Sequence, residues 1–194
     1  MAGIWRDFSV RHSRRCTVDT RYFAIRFERV AKKRQRLRAK WPCASMKPMT
    51  YHRGEFMVTT DRTRLNEELI HEFLFQSYWA EGIPRKTVAR SIRNSLCFGL
   101  FEGSRQIGFA RVVTDYATFA YLADVFILEG YRGRGLAKFL MESIVAHPRL
   151  QGLRRWLLAT RDAHSLYEKF GFIPLARPDR FMELHNPNVY KRGK

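Results

Sequence analysis

The chain has 194 residues, 45% of them hydrophobic, and a formal net charge of +18. That length suits one domain with a substantial core, and no run of about eighteen apolar residues is present to span a membrane as a helix. Cys16, Cys43 and Cys97 are widely spaced and form no Cys-x-x-Cys pair, which argues against a metal site or disulfide framework and suits a reducing, cytoplasmic setting.

The charge is unevenly spread. Residues 1–56 hold 15 Lys and Arg against 4 Asp and Glu, a net of +11, while residues 57–194 hold 21 against 14, a net of +7. Residues 1–50 show poor apolar periodicity, and Pro42 and Pro48 interrupt the chain after the arginine-rich run. This segment reads as a basic, disordered or non-native extension, with a start at Met46, Met49 or Met57 favoured. A polyanion-binding arm and an organelle transit peptide are the competing readings.

From Phe56 to Thr60 the pattern predicts a short strand. Asp61 is a candidate N-cap for a helix through Tyr78, with Leu65, Leu69 and Phe73 at near-helical spacing. Gly82-Ile83-Pro84 breaks it, and Pro84 starts a second helix, Arg85 to Asn94. Strands come next at Leu96–Phe101, Gln106–Thr114 and Thr118–Leu128, the first two joined by a hairpin turn at Glu102–Arg105. A helix from Gly135 to Ala146 carries Leu136, Phe139, Leu140, Ser143 and Ile144 on one stripe. Arg154–Ala159 reads as a buried strand, Asp162 as the cap of a short helix ended by Gly171, and Phe172–Leu175 and Phe181–His185 as the last strands. Helices flanking an antiparallel meander that turns parallel late give an α+β, three-layer layout.

The most informative stretch joins the Thr118–Leu128 strand to the helix after it: Val125-Phe126-Ile127-Leu128-Glu129-Gly130-Tyr131-Arg132-Gly133-Arg134-Gly135-Leu136-Ala137. A strand, a basic turn with glycines and a helix start bind phosphate, because first-turn N–H groups lack intrahelical partners and carry partial positive charge. The turn has no Gly-Lys-Ser/Thr ending, and no third glycine stands at the dinucleotide spacing.

Arg132-Gly133-Arg134-Gly135-Leu136-Ala137 resembles the Arg/Gln-x-x-Gly-x-Gly/Ala signature of the GNAT superfamily of N-acetyltransferases. Ala163-His164-Ser165-Leu166-Tyr167-Glu168-Lys169-Phe170-Gly171-Phe172 resembles that family's Ala-x-x-Leu-Tyr-x-x-x-Gly-Phe segment. The resemblance covers residues 57–190 and implies the GNAT-like fold, a mixed and mostly antiparallel sheet flanked by helices. It also implies acetyl-coenzyme A as acetyl donor, without a metal. Residues 132–137 would grip the pyrophosphate, and a backbone N–H of Phe126 or Ile127 would polarise the thioester. Tyr167 would serve the leaving thiolate. Relatives often carry asparagine at the position of Thr160, so a cofactor contact there would come from a hydroxyl.

Asp124 is the candidate base, since an acid within an apolar strand is costly without a task; a structural acceptor for nearby backbone or arginine groups is the equal alternative. His71, Gln76, Ser77, Tyr78, Trp79 and Glu81 surround the break between the first helices. Of these, Tyr78 and Trp79 are candidate walls of an amine pocket. The resulting expectation is an N-acetyltransferase acting on a primary amine, small-molecule or peptide, as a monomer or homodimer with no membrane partner. A non-catalytic acyl-coenzyme A sensor of the same fold and a basic nucleic-acid-binding protein are the alternatives.

Overall fold

The computed structural model describes residues 47–190, so the basic leader lies, up to residue 46, outside the described residues. The sheet begins at Thr50: β1 (Thr50–Arg53) turns through Gly54, whose φ is +57°, into β2 (Phe56–Thr59). β3 (Leu96–Glu102), β4 (Arg105–Thr114), β5 (Phe119–Ile127) and β6 (Arg155–Leu157) complete a six-stranded sheet in sequential order. All neighbours are antiparallel except β5 and β6, which run parallel.

Helices cover both faces, giving three layers. α1 (Glu67–Gln76) and α2 (Arg85–Arg93) bury Ile70, Leu74, Val88 and Ile92 against Phe109 and Phe126. On the other face α3 (Leu136–Val145) and α4 (His164–Glu168) pack Phe139, Leu140, Ile144 and Tyr167 against Phe98, Ile107 and Leu122. β3, covered on both sides, is buried along its length apart from Glu102. That explains its continuous apolar run. Among the described residues no helix is long and apolar enough to cross a membrane.

Several predicted elements shift. Asp61 caps only a 3-10 turn, Arg62–Arg64, accepting the Thr63 N–H at 3.0 Å. The helix proper starts six residues after Asp61, at Glu67. There Asn66 Oδ1 accepts the Leu69 N–H at 3.0 Å, and Glu67 and Glu68 face the positive helix end. It also stops early, at Gln76, where the Ser77 hydroxyl donates to the Leu74 carbonyl. β6 is three residues long and not buried, because it pairs with β5 only over Phe119–Tyr121. Asp162 does not cap α4; the Thr160 hydroxyl accepts the Ala163 N–H at 3.0 Å instead. Neither 172–175 nor 181–185 forms a strand. Pro174 removes a ladder donor from the first, Pro178–Arg180 between them is a 3-10 turn, and Met182 and Leu184 are fully exposed.

Candidate active site

The site is built around a defect in β5. Pairing steps from Phe109↔Phe126 to Arg111↔Ala123, so Asp124 and Val125 together oppose the single residue Ala110. This is a bulge, and Asp124 sits in it at φ +54°. Its effect is visible in packing. Leu122 and Phe126 should share a face in a regular strand, yet Leu122 belongs to the α3–α4 core and Phe126 to the α1–α2 core.

Beyond Tyr121, β5 loses β6 as a neighbour and one edge of the strand opens. The N–H groups of an antiparallel strand alternate between its two edges. Leu128 donates to Ile107 on the β4 side at 2.9 Å, so the Ile127 N–H belongs to the open edge. Arg132 Nε marks the same edge, donating to the Ile127 carbonyl at 3.2 Å. Val125 shares that edge by the same alternation, and Phe126 is turned back toward Phe109. Of the two residues the sequence offers as a cleft donor, Ile127 has the orientation and Phe126 does not. Val125 escapes sequence reasoning because its parity depends on the bulge.

The open edge forms one wall of a cleft of about 800 Å³. Arg132 and Ala137 line it on the helix side, Tyr167 and Leu166 on the α4 side, and Tyr78 and Trp79 at the α1 side. Gly133 (φ +77°) and Gly135 (φ +73°) make the turn that starts α3, with Gly135 as its N-cap. The first intrahelical bond runs from the Phe139 N–H to the Gly135 carbonyl, so the N–H groups of Leu136, Ala137 and Lys138 have no partner within the helix. A Cβ built on either glycine meets nothing within 4 Å. The turn is therefore uncrowded there, and glycine is needed for the backbone angle rather than for want of room.

Arg134 does not accompany Arg132. Its guanidinium lies between Glu55 at 3.3 Å and Glu102 at 3.6 Å, over the rings of Phe56 and Tyr131. The Tyr131 hydroxyl donates to the same Glu102 at 2.8 Å. These contacts fasten the glycine turn to the β1–β2 and β3–β4 hairpins.

Tyr167 is 8% exposed, and burial, with the neighbouring Tyr78 phenol and Asp162 carboxylate, pushes its pKa up to about 12. Tyr78 and Trp79 meet edge-to-face at 4.9 Å, and Phe73 stacks on Phe126 at 3.8 Å. Thr160 is occupied as the acceptor for Ala163. Cys97 is 1% exposed, and burial raises its thiol to about 12, which leaves it inert as a nucleophile.

Asp124 Oδ2 accepts Arg111 Nε at 2.6 Å, and both side chains are largely buried. Arg111 reaches on to the Ser95 hydroxyl at 3.2 Å. Aspartate tolerates the left-handed region better than most residues, so this one side chain suits the bulge and neutralises Arg111. Asp124→Ala should lose about 3 kcal/mol in chemical denaturation, from an unpaired buried arginine and a strained alanine. Asp124→Asn should lose less, since it keeps the backbone tolerance. Unchanged stability in both, with turnover abolished, would point instead to a base.

The acetyltransferase (GNAT) family model matches residues 64–172, more than half of the chain. A candidate acetyltransferase of the GNAT family from Xanthomonas campestris pv. campestris is 51% identical in its solved structure, with a TM-score of 0.70, covering 73% of this chain and 100% of that one. A candidate acetyltransferase of Gibberella zeae, FG08082, is 32% identical over 146 residues, 63% of this chain and 81% of the relative. A predicted acetyltransferase from Clostridium acetobutylicum, solved with acetyl-coenzyme A, shares the fold at 17% identity and a TM-score of 0.50, covering 71% of this chain and 96% of that one.

Proposed function

This chain belongs to the acetyltransferase (GNAT) family and is an acyltransferase enzyme, and from that premise we propose that it moves an acetyl group from acetyl-coenzyme A to a primary amine by direct attack within a ternary complex. One observation carries the reading. The open edge of β5, the unpartnered first turn of α3 and the Tyr167 phenol all border a single cleft.

The residues fit the donor. The Leu136, Ala137 and Lys138 N–H groups supply the positive helix end for a diphosphate, with the Arg132 guanidinium beside them; Gly133 and Gly135 let the main chain approach it. Arg134 acts at one remove, by holding the turn. An extended pantetheine arm can add to the open strand edge as a further strand would. When bound, the donor supplies a thioester carbonyl and a thiol leaving group. The Ile127 N–H, on an edge shared with Val125, then points where charge develops on the carbonyl oxygen. Tyr167 donates its O–H to the departing sulfur.

The amine arrives past Tyr78 and Trp79, whose ring faces attract it. Its proton passes to solvent at the cleft mouth. Asp124, already paired with Arg111, keeps the bulge in shape instead of acting as base. Buried Cys97 carries no acyl group, which favours direct attack.

A thiol-release assay with acetyl-coenzyme A over a panel of primary amines tests the proposal. Acceptor-dependent thiol release is expected, with a single coenzyme A site by calorimetry. Folded protein that gives no heat with coenzyme A or its thioesters would end the reading.

A further inference from the structure

The cleft wall opposite the strand edge already holds a cation. The Arg161 guanidinium lies 3.8 Å from the centroid of the Tyr78 ring, and the Arg161 backbone N–H donates to the Tyr78 hydroxyl at 3.3 Å. Among the described residues, the only carboxylate partner of that guanidinium is its chain neighbour Asp162, at 3.9 Å. Both of those side chains are 67% exposed. An exposed pair of that length between sequence neighbours holds its members weakly. Tyr78 is itself 48% exposed, with Trp79 set edge-on to its ring.

A face that collects a guanidinium from its own chain is a face that binds cations. When Arg161 swings out, it leaves one aromatic ring and one carboxylate uncovered together. The other charged groups bordering the cleft are Glu129 and Arg132. Arg132 keeps its charge but is held at the Ile127 carbonyl, so the groups left at the vacated corner would be the Asp162 carboxylate and the Tyr78 ring, the chemistry that receives an ammonium.

We propose that the Tyr78 ring and the Asp162 carboxylate form a cation subsite for the acceptor, held in the free protein by Arg161, and that the acceptor carries a second positive charge besides the amine that is acetylated. This rests on the acetyltransferase reading above. It makes the preferred acceptor a diamine or a compound with an equivalent second cation, and gives Arg161 the part of a displaceable competitor.

Three five-carbon probes separate the possibilities: 1,5-diaminopentane, pentylamine and 5-aminopentanoate. Each is titrated calorimetrically into the full chain, with and without coenzyme A, and each is then assayed for thiol release. The diamine should bind about tenfold more tightly than either other probe. Arg161→Ala should tighten the diamine severalfold by removing its competitor. Tyr78→Leu and Asp162→Asn should erase the preference, and Tyr78→Phe, which keeps the ring, should retain it.

Three results would overturn the proposal: equal affinity for all probes, weaker diamine binding in Arg161→Ala, or a preference for 5-aminopentanoate that vanishes in that variant. The last would make Arg161 an anchor for acceptor carboxylates. Heat with coenzyme A but none with the diamine removes the subsite and leaves the acetyltransferase reading standing. Diamine binding without any heat from coenzyme A would end the acetyltransferase reading, and with it the acceptor role of a cation site that still binds.

Discussion

Gly135→Asp should lose acetyl-coenzyme A binding by about a thousandfold while the protein remains folded. Gly135 is the N-cap of α3 at φ +73°. Most side chains would be strained there by about 1–2 kcal/mol, but aspartate visits the left-handed region with less penalty. Its Cβ would meet no neighbour within 4 Å, and a negative charge at a helix N-terminus is favourable to the helix. Stability should therefore change little. The proposed ligand fares differently. A carboxylate set about 4 Å from a diphosphate costs roughly 4 kcal/mol at the effective dielectric of a protein surface, which is close to three decades in affinity. Gly135→Asn, of similar size and backbone tolerance but neutral, should lose only about tenfold. Calorimetric titration of both variants, with a thermal melt as the folding control, reads the difference. If both bind as the parent does, the diphosphate does not sit at α3.

The α3 stripe and the glycine turn were legible because both are local signals. Leu136, Phe139, Leu140, Ser143 and Ile144 follow helical spacing, and all five are buried. Two glycines with positive φ sit where the turn needs them. The features that the residues concealed depend on distant partners. Arg134 and Arg132 look alike in the turn, but Arg134 pairs with Glu55, 79 residues away, while Arg132 lines the cleft. Asp61 and Asn66 are both good caps, and only Asn66 lies where the chain can fold back, its N–H held by Gln106 Oε1 at 2.7 Å.

The β5 bulge is the deepest case. Asp124 breaks an apolar alternation, which in sequence invites a catalytic reading. In the structure it takes a left-handed backbone angle and pairs with Arg111, the structural role that we propose for it. Everything after it changes edge and face, so the orientation of the Ile127 N–H could not be fixed by counting. At the C-terminal end, period-two apolar residues such as Met182 and Leu184 met no partner strand. β-propensity describes fit to a sheet surface and supplies no neighbour by itself.

Tyr167→Phe should lower kcat by about thirty- to a hundredfold and leave acetyl-coenzyme A affinity within about twofold, matching the roughly 2–3 kcal/mol of a hydrogen bond to a charged group. The raised pKa of Tyr167, about 12, decides what kind of help it gives. A thiol of the ordinary kind titrates near 8.5, so full proton transfer from this phenol to the departing sulfur would cost roughly 5 kcal/mol. On the proposed mechanism Tyr167 would therefore donate a hydrogen bond, and the sulfur would leave as a thiolate protonated by solvent. The effect of the substitution should shrink for thioester donors with more acidic thiols, whose thiolates need less support; an equal loss for every donor would remove Tyr167 from the leaving-group step. The same shift has a signature in stability. Between about pH 10 and pH 12 an unfolded tyrosine loses its proton while Tyr167 keeps its own, so the raised group contributes stability below pH 10 that is lost across that window. Tyr167→Phe should flatten this part of the alkaline unfolding curve. An alkaline limb identical to that of the parent would mean that the phenol is solvated in the folded protein, and with it the case for a buried donor at the cleft would go.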